Sequence, residues 1–236
     1  MTRDEVIKIV LMRCGMRQND KVLQEAAVAE LTLQQQTKLE RAHFKPWFLL
    51  SDTETTVTFP SEERIPLPKN FMQEYEEGAL SIRDCDDDKE DLDGYVPPPY
   101  RDLVKDDYDY LKSKFPPGEG THRYYDYAPQ AYAIVGTYIT LHPAPLRTYM
   151  LKMKYYKKAE TFAQPYGEGA DLTNEWLTEA PDWVIGELGA VIAGSYIKDD
   201  ATAGKFAEQA NRAKGEIYVD QVARDEANRT RSMGDD

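Results

Sequence analysis

Apolar residues in the first forty positions recur at helical spacing, which predicts a helical hairpin. Thr2 and Glu5 form a capping-box pattern ahead of the first apolar run, and Gly15 stands where a helix C-cap belongs. A second helix is predicted over residues 21–41. Its apolar stripe follows helical spacing at Val22, Ala26, Ala29, Leu33 and Gln36, and Ala27, Leu31 and Leu39 widen it.

After Pro46 the hydrophobic period changes from that of a helix to that of a strand. Residues 55–59 alternate and are rich in β-branched side chains, which predicts a strand. A tight hairpin is predicted around Gly136, and a further strand is predicted over residues 149–156, where apolar and cationic positions alternate. Residues 70–79 are predicted to form a short helix.

Helices resume near the C-terminus, with Pro181 in the first turn of a helix that ends near Tyr196. Between Trp183 and Gly194 only Glu187 is charged, so the helix is apolar on every face and needs cover on every face. A stripe of small residues would let a neighbouring backbone approach closely. We therefore predict the central helix of a bundle, with these core residues: Trp183, Val184, Leu188, Val191 and Ile192.

The pattern as a whole predicts an α+β protein. Residues 1–45 and 170–224 are expected to form one helical bundle, and residues 46–169 a β-rich insertion between them. The last helix is predicted to begin near Thr202. Residues 225–236 are polar and are expected to form an extended C-terminal tail.

The charge of the chain bears on its partners. Its 236 residues carry a formal net charge of −13, whereas binding to duplex DNA requires a cationic surface. An acidic wall is nevertheless compatible with a DNA conduit, because it repels the DNA that passes through it. We find no signal peptide and no apolar stretch long enough to span a membrane, so synthesis in the cytoplasm is expected.

Residues with catalytic or metal-binding chemistry are sparse. The three histidines lie far apart in the sequence, and no common catalytic motif occurs, so we predict no enzymatic activity and no cofactor. The acidic stretch 84–93 contains the weak metal-ligand candidates Asp84, Asp86 and Asp88. It lacks the glycine and glutamate positions of an EF-hand loop, and such a dense run of like charge favours a solvated loop.

Tyrosine is frequent, with sixteen in the chain and many in the β half. Tyrosine is enriched at protein–protein interfaces, but it also has a high strand propensity, and the sequence leaves both interpretations open. The interface candidates are Tyr132, Tyr138, Tyr155 and Tyr156.

Four segments give the chain a resemblance to a known family. They are residues 39–50, with the sequence PWFLL at their end; residues 64–71 (RIPLPKNF); residues 132–145 (YAIVGTYITLHPAP), followed by a strand that ends in YYK; and residues 173–182 (TNEWLTEAPD). In this order they resemble the adaptor, or head–tail connector, subunits of short-tailed bacteriophages. The family's usual acidic residue in the second segment is replaced by Asn70, and the acidic stretch has no counterpart that we can place.

The resemblance implies a structural protein of the virion, located at the head–tail junction. It implies a twelvefold ring of copies of the chain that binds the portal protein and presents a platform for tail or nozzle proteins. The ring would help to close the DNA-filled head, and the genome would pass through without specific binding. The C-terminal tail is implied to dock on the portal, with three cationic residues in or beside it: Arg224, Arg229 and Arg231.

Two alternatives stay open at this stage. A tail terminator or stopper ring would be built on the same interface physics, and the sequence does not separate it from an adaptor. A divalent-metal-binding protein that uses residues 84–93 belongs to another class of function, and calorimetry with calcium, magnesium and manganese would reveal it.

Overall fold

The computed structural model describes residues 1–57, 64–76, 78–85, 98–115, 128–145, 148–168 and 172–232. The chain divides into two compact units. The first comprises Met1–Leu49 with Lys158–Asp236 and is helical, and the second is Leu50–Lys157 and is mostly β. The predicted α+β class, with helices from both chain ends, a central β-rich region and a long C-terminal helix, is confirmed.

The first unit consists mostly of helices. The α-helices in the described part of the chain are α1 Arg3–Arg13, α2 Lys21–Gln34, α3 Tyr108–Lys114, α4 Glu175–Glu179, α5 Pro181–Val191 and α6 Asp200–Ser232. Of these, α3 belongs to the second unit. Helix α2 continues as a π-helical turn over Gln35–Leu39, and α5 continues in the same way over Ile192–Ile197.

Side chains at the ends of the first two helices stabilise them. Thr2 accepts a hydrogen bond from the backbone N–H of Glu5, and the Glu5 carboxylate accepts one from Thr2, which confirms the predicted capping box. Asp20 caps α2 by accepting from the backbone of its first turn. Gly15 has a φ of 72°, the left-handed conformation that terminates α1.

Helix α5 packs closely on α6 through two glycines. A Cβ atom at Gly186 would lie 2.6 Å from the backbone nitrogen of Ala210, and one at Gly189 would lie 2.3 Å from the ring of Phe206. Neither position has room for a side chain: at Gly186 the backbones of α5 and α6 meet, and at Gly189 the Phe206 ring packs on the α5 backbone. The small-residue stripe predicted from the sequence therefore has a packing role at these two positions.

The segment that follows the last strand belongs to the helical unit, which moves one predicted boundary. The sequence placed the β-rich region at residues 46–169, whereas the β unit ends at Lys157. The difference arises because a buried side chain of the helical unit forms hydrogen bonds with the backbone of the residues that follow β9. Gln35 donates to the carbonyl oxygens of Ala159 and Glu160, at 3.3 and 3.0 Å. The sequence of this segment carries no helical period, so pattern alone grouped it with the strands.

The β unit contains two sheets. Its described strands are β1 Leu50–Val57, β2 Ile65–Pro66, β3 Phe71–Glu74, β4 Leu80–Asp84, β5 Arg101–Asp102, β6 Val104–Lys105, β7 Ala131–Val135, β8 Tyr138–His142 and β9 Tyr149–Lys157. One sheet has the order β1-β9-β4-β5, with β3 also paired to β9, and the other has the order β2-β8-β7-β6. The two sheets contribute to one hydrophobic core, which includes Ile82, Ile139 and Leu151.

Strand β9 organises the first sheet. The whole length of β1 pairs antiparallel with one side of β9, and β3 and β4 follow each other on the other side. The short helix predicted over residues 70–79 is therefore wrong, because Phe71 and Glu74 pair with the end of β9 as a strand. The predicted hairpin is confirmed, with β7 and β8 joined at Gly136, which has a φ of 62°.

Helix α6 extends further than predicted. The sequence indicated a polar tail from residue 225, but the helix continues to Ser232, and residues 233–236 lie outside the described part of the chain. At a rise of about 1.5 Å per residue, the 33 residues of α6 form a rod roughly 50 Å long. None of the helices in the described ranges combines the length and the apolar character needed to cross a membrane.

Candidate functional site

Helix α2 is apolar on two opposite faces. Its buried face includes Ala27, Val28 and Leu31. At 100° per residue, Val22, Ala29 and Leu33 lie on the opposite side, where Val22 is 76% and Leu33 53% exposed. We call this surface the α2 outer face: Val22, Ala26, Ala29, Leu33 and Gln36. The sequence indicated this stripe as the core stripe, and the structure instead buries the residues that were expected only to widen it.

Helix α6 repeats the arrangement in its second half. Phe206, Ala210 and Ala213 are buried, whereas Tyr218 and Val219 are 52% and 64% exposed. The exposed residues lie on the opposite side of the helix, where an uncharged strip is bordered by the exposed ion pair of Arg212 and Glu216. We call this surface the α6 outer face: Asn211, Gly215, Tyr218, Val219 and Val222. A second apolar face on a helix requires a second partner or remains in water.

The two outer faces are exposed on different sides of the helical unit, because α2 and α6 contact different sides of α5. Gly186 and Gly189 contact α6. Glu187 lies roughly 130° away around the α5 axis, and it meets α2. Its carbonyl oxygen accepts from the side chain of Gln34 at 3.2 Å, and its carboxylate pairs with Lys38 at 2.5 Å.

A groove adjoins the α2 outer face. It has a volume of about 630 Å³ and lies between α2 and the segment 163–166. Its lining combines the apolar Val28, Ala29 and Pro165 with polar and charged side chains that include Lys21 and Glu25. Because Ala29 belongs to both, the groove and the α2 outer face form one continuous surface.

Aromatic rings beside α6 hold Tyr218 in place. The ring of Phe44 meets Tyr218 edge to face at 5.4 Å and stacks on Trp183 at 6.0 Å. The guanidinium of Arg224 lies 3.9 Å from the centre of the Trp47 ring. Arg224, implied by the resemblance to dock on the portal, therefore already has a partner in its own chain. Arg229 and Arg231, the other two implied docking residues, belong to the last turns of α6.

Three of the four tyrosine interface candidates are core residues. Tyr132, Tyr155 and Tyr156 are buried within the β unit, so they are not available to a partner, and their prediction as interface residues is wrong. The sequence did not separate these cases, because strand alternation places tyrosine on either face. Tyr138 is exposed on β8 and stays a candidate.

Tyr132 contributes instead to a polar cluster in the β unit. Its hydroxyl donates to the Glu74 carboxylate at 3.1 Å, and Lys105 pairs with the other oxygen of the same carboxylate. Burial, followed by the charge of Glu74, raises the pKa of Tyr132 well above its ordinary value of 10.0. The cluster links β3 of one sheet to β6 and β7 of the other.

This pKa predicts a specific alkaline response. Above pH 10 the unfolded chain releases the Tyr132 proton while the folded chain keeps it, so the stability that this group provides below pH 10 declines as the pH rises further. Tyr132→Phe should cost about 1–2 kcal/mol at pH 7 and lose less stability than the wild type above pH 10. Urea unfolding followed by circular dichroism from pH 7 to 11 measures this difference. Tyr138→Phe, at an exposed position, should match the wild type throughout, and equal pH slopes for all three proteins would contradict the assignment.

The weak metal-ligand candidates gain no support from the described residues. Asp84 is exposed at the end of β4, and Asp86 and Asp88 lie outside the described ranges. Within those ranges, no three His, Cys, Asp or Glu side chains are grouped closely enough to hold an ion.

The predicted bundle core is correct at four of its five positions. Trp183, Val184, Leu188 and Ile192 are buried, and Trp183 meets the buried ring of Trp176 edge to face at 5.5 Å. Val191 is only half-buried, so the prediction that α5 is covered on every face is wrong. One stripe is partly open to solvent because α2 and α6 cover it only in part: Glu187, Ala190, Val191 and Gly194.

No protein-family model and no curated protein matches this chain. The candidate site therefore rests on the chain's own geometry, and the two outer faces with the adjoining groove are its main features.

Sequence reasoning missed a buried ion pair at the start of α1. Arg3 is fully buried and pairs with Asp4 at 2.7 Å. Its guanidinium also donates to the carbonyl oxygens of Phe162 at 3.0 Å, Pro165 at 2.9 Å and Gln164. Asp4 in turn accepts from the backbone N–H of Gly167 at 3.0 Å. The first turn of a helix commonly carries exposed charge, so nothing in the sequence marks this pair as buried.

Proposed function

We propose that the chain is the adaptor subunit of a phage head–tail connector. Copies would form a ring that joins the portal protein to tail or nozzle proteins and helps to close the DNA-filled head. The observation that carries the proposal is the pair of exposed outer faces on α2 and α6, which give each copy two separate surfaces for assembly with exposed apolar side chains: Val22 and Leu33 on α2, and Tyr218 and Val219 on α6.

The positions of the resembling segments support this proposal. Residues 132–145 include the β7–β8 hairpin, and residues 173–182 include α4 and the first residues of α5. In the latter segment Asn174 caps α4 by accepting from the backbone N–H of Leu177 at 3.2 Å, and Trp176 is fully buried. The resemblance therefore lies on residues that determine the fold, which is where a family relationship leaves its strongest trace.

The length of α6 supports a role in reaching a neighbouring component. The last buried residue in its described part is Gln221, and the helix continues for eleven residues beyond it. This extension carries Arg224, Arg229 and Arg231 against two acidic residues, Asp225 and Glu226. A helical extension with cationic side chains is suited to binding an acidic groove of a larger ring such as a portal.

The net charge supports passage of DNA without binding. At −13 per copy, a ring of such subunits would repel the phosphate backbone unless cationic residues were concentrated on its inner wall. Such a ring permits transit of the genome, whereas a specific DNA-binding protein requires a basic surface.

Location in the particle tests the proposal. Mass spectrometry of purified virions should detect the chain, and a low-resolution map should place it between portal and tail. Its absence from virions would overturn the proposal, and a position at the far end of the tail would favour a tail terminator instead.

Removing the end of α6 should weaken portal binding without unfolding the protein. A stop after Arg224 deletes two arginines and retains every helix position whose side chain is described as buried. We expect capture by an immobilised portal ring to fall at least about tenfold, because charge-assisted hydrogen bonds supply much of the affinity of such a contact. Circular dichroism should show a thermal midpoint within a few degrees of the full chain.

The charge-reversed variant Arg229→Glu/Arg231→Glu provides the matched comparison, since it retains the length of α6. It should lose capture as the truncation does. Full capture by both variants would show that the portal binds elsewhere.

A further inference from the structure

We infer that the α6 outer face of one copy binds the α2 outer face and adjoining groove of the next copy, which makes a head-to-tail contact. The inference rests on the proposed function, because a ring of identical subunits needs a contact of this type. It specifies the helices and the residues that form the ring interface.

The composition of the two faces identifies the occupant as a second copy of this chain. Each copy carries 42 acidic residues against 29 lysines and arginines, so copies repel one another over most of their surface. The five residues of each outer face are uncharged, and the charges beside them are of both signs: Arg212 and Glu216 border the α6 outer face, and Lys21 and Glu25 line the groove. Contact through these faces buries apolar area where the repulsion is least.

The shapes of the two faces are complementary. The α2 outer face adjoins a groove of about 630 Å³, and the α6 outer face presents the exposed ring of Tyr218. Phe44 supports this ring from behind, so it is positioned before any partner arrives. A rigid aromatic side chain that enters a groove is a common anchor of protein interfaces. The small residues Gly215 and Ala29 allow the two helices to approach closely.

The directions in which the two outer faces point favour a ring over a symmetric dimer. The two outer faces point to different sides of the helical unit, since α2 and α6 contact different sides of α5. A twofold contact of α2 with α2 would leave both α6 faces exposed, and a contact of α6 with α6 would leave both α2 faces exposed. A head-to-tail contact covers both faces of every subunit once the ring closes.

Two single substitutions at exposed positions block one face each. Leu33→Glu places a charge on the α2 outer face, and Val219→Glu places one on the α6 outer face. We expect each variant alone to self-associate at least about tenfold more weakly than the wild type in sedimentation velocity. Val104→Glu is the matched control, because Val104 is 65% exposed on β6 and belongs to neither face, and it should assemble as the wild type does.

Mixing the two blocked variants identifies the mode of contact. Leu33→Glu retains an intact α6 face and Val219→Glu an intact α2 face, so the mixture should form one-to-one heterodimers and nothing larger. If either variant alone forms dimers as readily as the wild type, the contact is isologous and the inference is wrong. It is also wrong if wild-type protein stays monomeric up to its solubility limit. Unchanged circular dichroism spectra verify that both variants are folded.

The self-association experiment can fail or succeed independently of the test of the proposed function, which is the location of the chain in the virion. Heterodimers from the mixture, with the chain absent from virions, would retain this interface and overturn the adaptor role. Presence at the head–tail junction with no effect of either substitution on self-association would retain the adaptor role and overturn this interface.

Discussion

Gly186→Ala should destabilise the helical unit by about 3 kcal/mol, near the upper end of the usual cost of overpacking a core. The added methyl group would lie 2.6 Å from the backbone nitrogen and 2.8 Å from the Cα of Ala210, so the α6 backbone itself must move. Side-chain rotation offers no relief at a contact with backbone. Such a loss is a large share of the 5–15 kcal/mol that is typical of a folded domain.

Tryptophan fluorescence in a urea titration measures this loss selectively. All three tryptophans, Trp47, Trp176 and Trp183, lie in the helical unit, so their signal reports the unfolding of that unit. Gly204→Ala is the matched control, because a Cβ atom at Gly204 meets nothing within 4 Å. That control should be neutral or gain up to about 1 kcal/mol from the higher helix propensity of alanine. Equal stability of the two variants would contradict the close approach of α5 and α6.

Arg3→Met should cost about 3–5 kcal/mol, the usual cost of breaking a buried ion pair by removing one partner. Asp4 would remain buried with Gly167 as a hydrogen-bond donor but without its cation. The carbonyl oxygens of Phe162, Gln164 and Pro165 would lose their shared donor as well. We therefore expect the segment around these residues to detach before the helices unfold.

Limited proteolysis and the same fluorescence titration measure this effect together. New cleavage near residues 162–168 should precede the loss of the tryptophan signal. Arg13→Met is the matched control on the same helix, because Arg13 is exposed and its side chain bonds to Gln209 at 3.1 Å on the surface. It should change stability by less than about 0.5 kcal/mol. A similar small change for Arg3→Met would refute a structural role for the buried pair.

The secondary structure of this chain could largely be predicted from the sequence where it depends on neighbouring residues alone. The capping box at Thr2, the left-handed turn at Gly136 and the helix start at Pro181 each depend on residues within one turn. The residues 70–79 were mispredicted for the opposite reason. Their conformation depends on pairing with β9, whose residues lie about eighty positions further along the chain.

The candidate site also combines features that the local sequence predicts with features that depend on distant contacts. The sequence revealed that α2 carries the spaced apolar residues Val22, Ala29 and Leu33, but it assigned them to the core. When a helix has two apolar faces, the residues of both faces recur at the same helical spacing. Only the neighbouring elements determine which of the two faces is buried. The tyrosines follow the same logic, since composition does not distinguish Tyr132 in the core from Tyr138 on the surface.

By itself the sequence determined the α+β class, the positions of most helices and strands, and the close-packing stripe on α5, because hydrophobic period and capping chemistry act over a few residues. Only the tertiary structure decided which side of α2 and α6 faces solvent, that Arg3 and Asp4 are buried, and that residues 158–168 belong with the helices. Those features depend on contacts between residues up to about 160 positions apart, and burial is a property of such contacts and not of the local pattern.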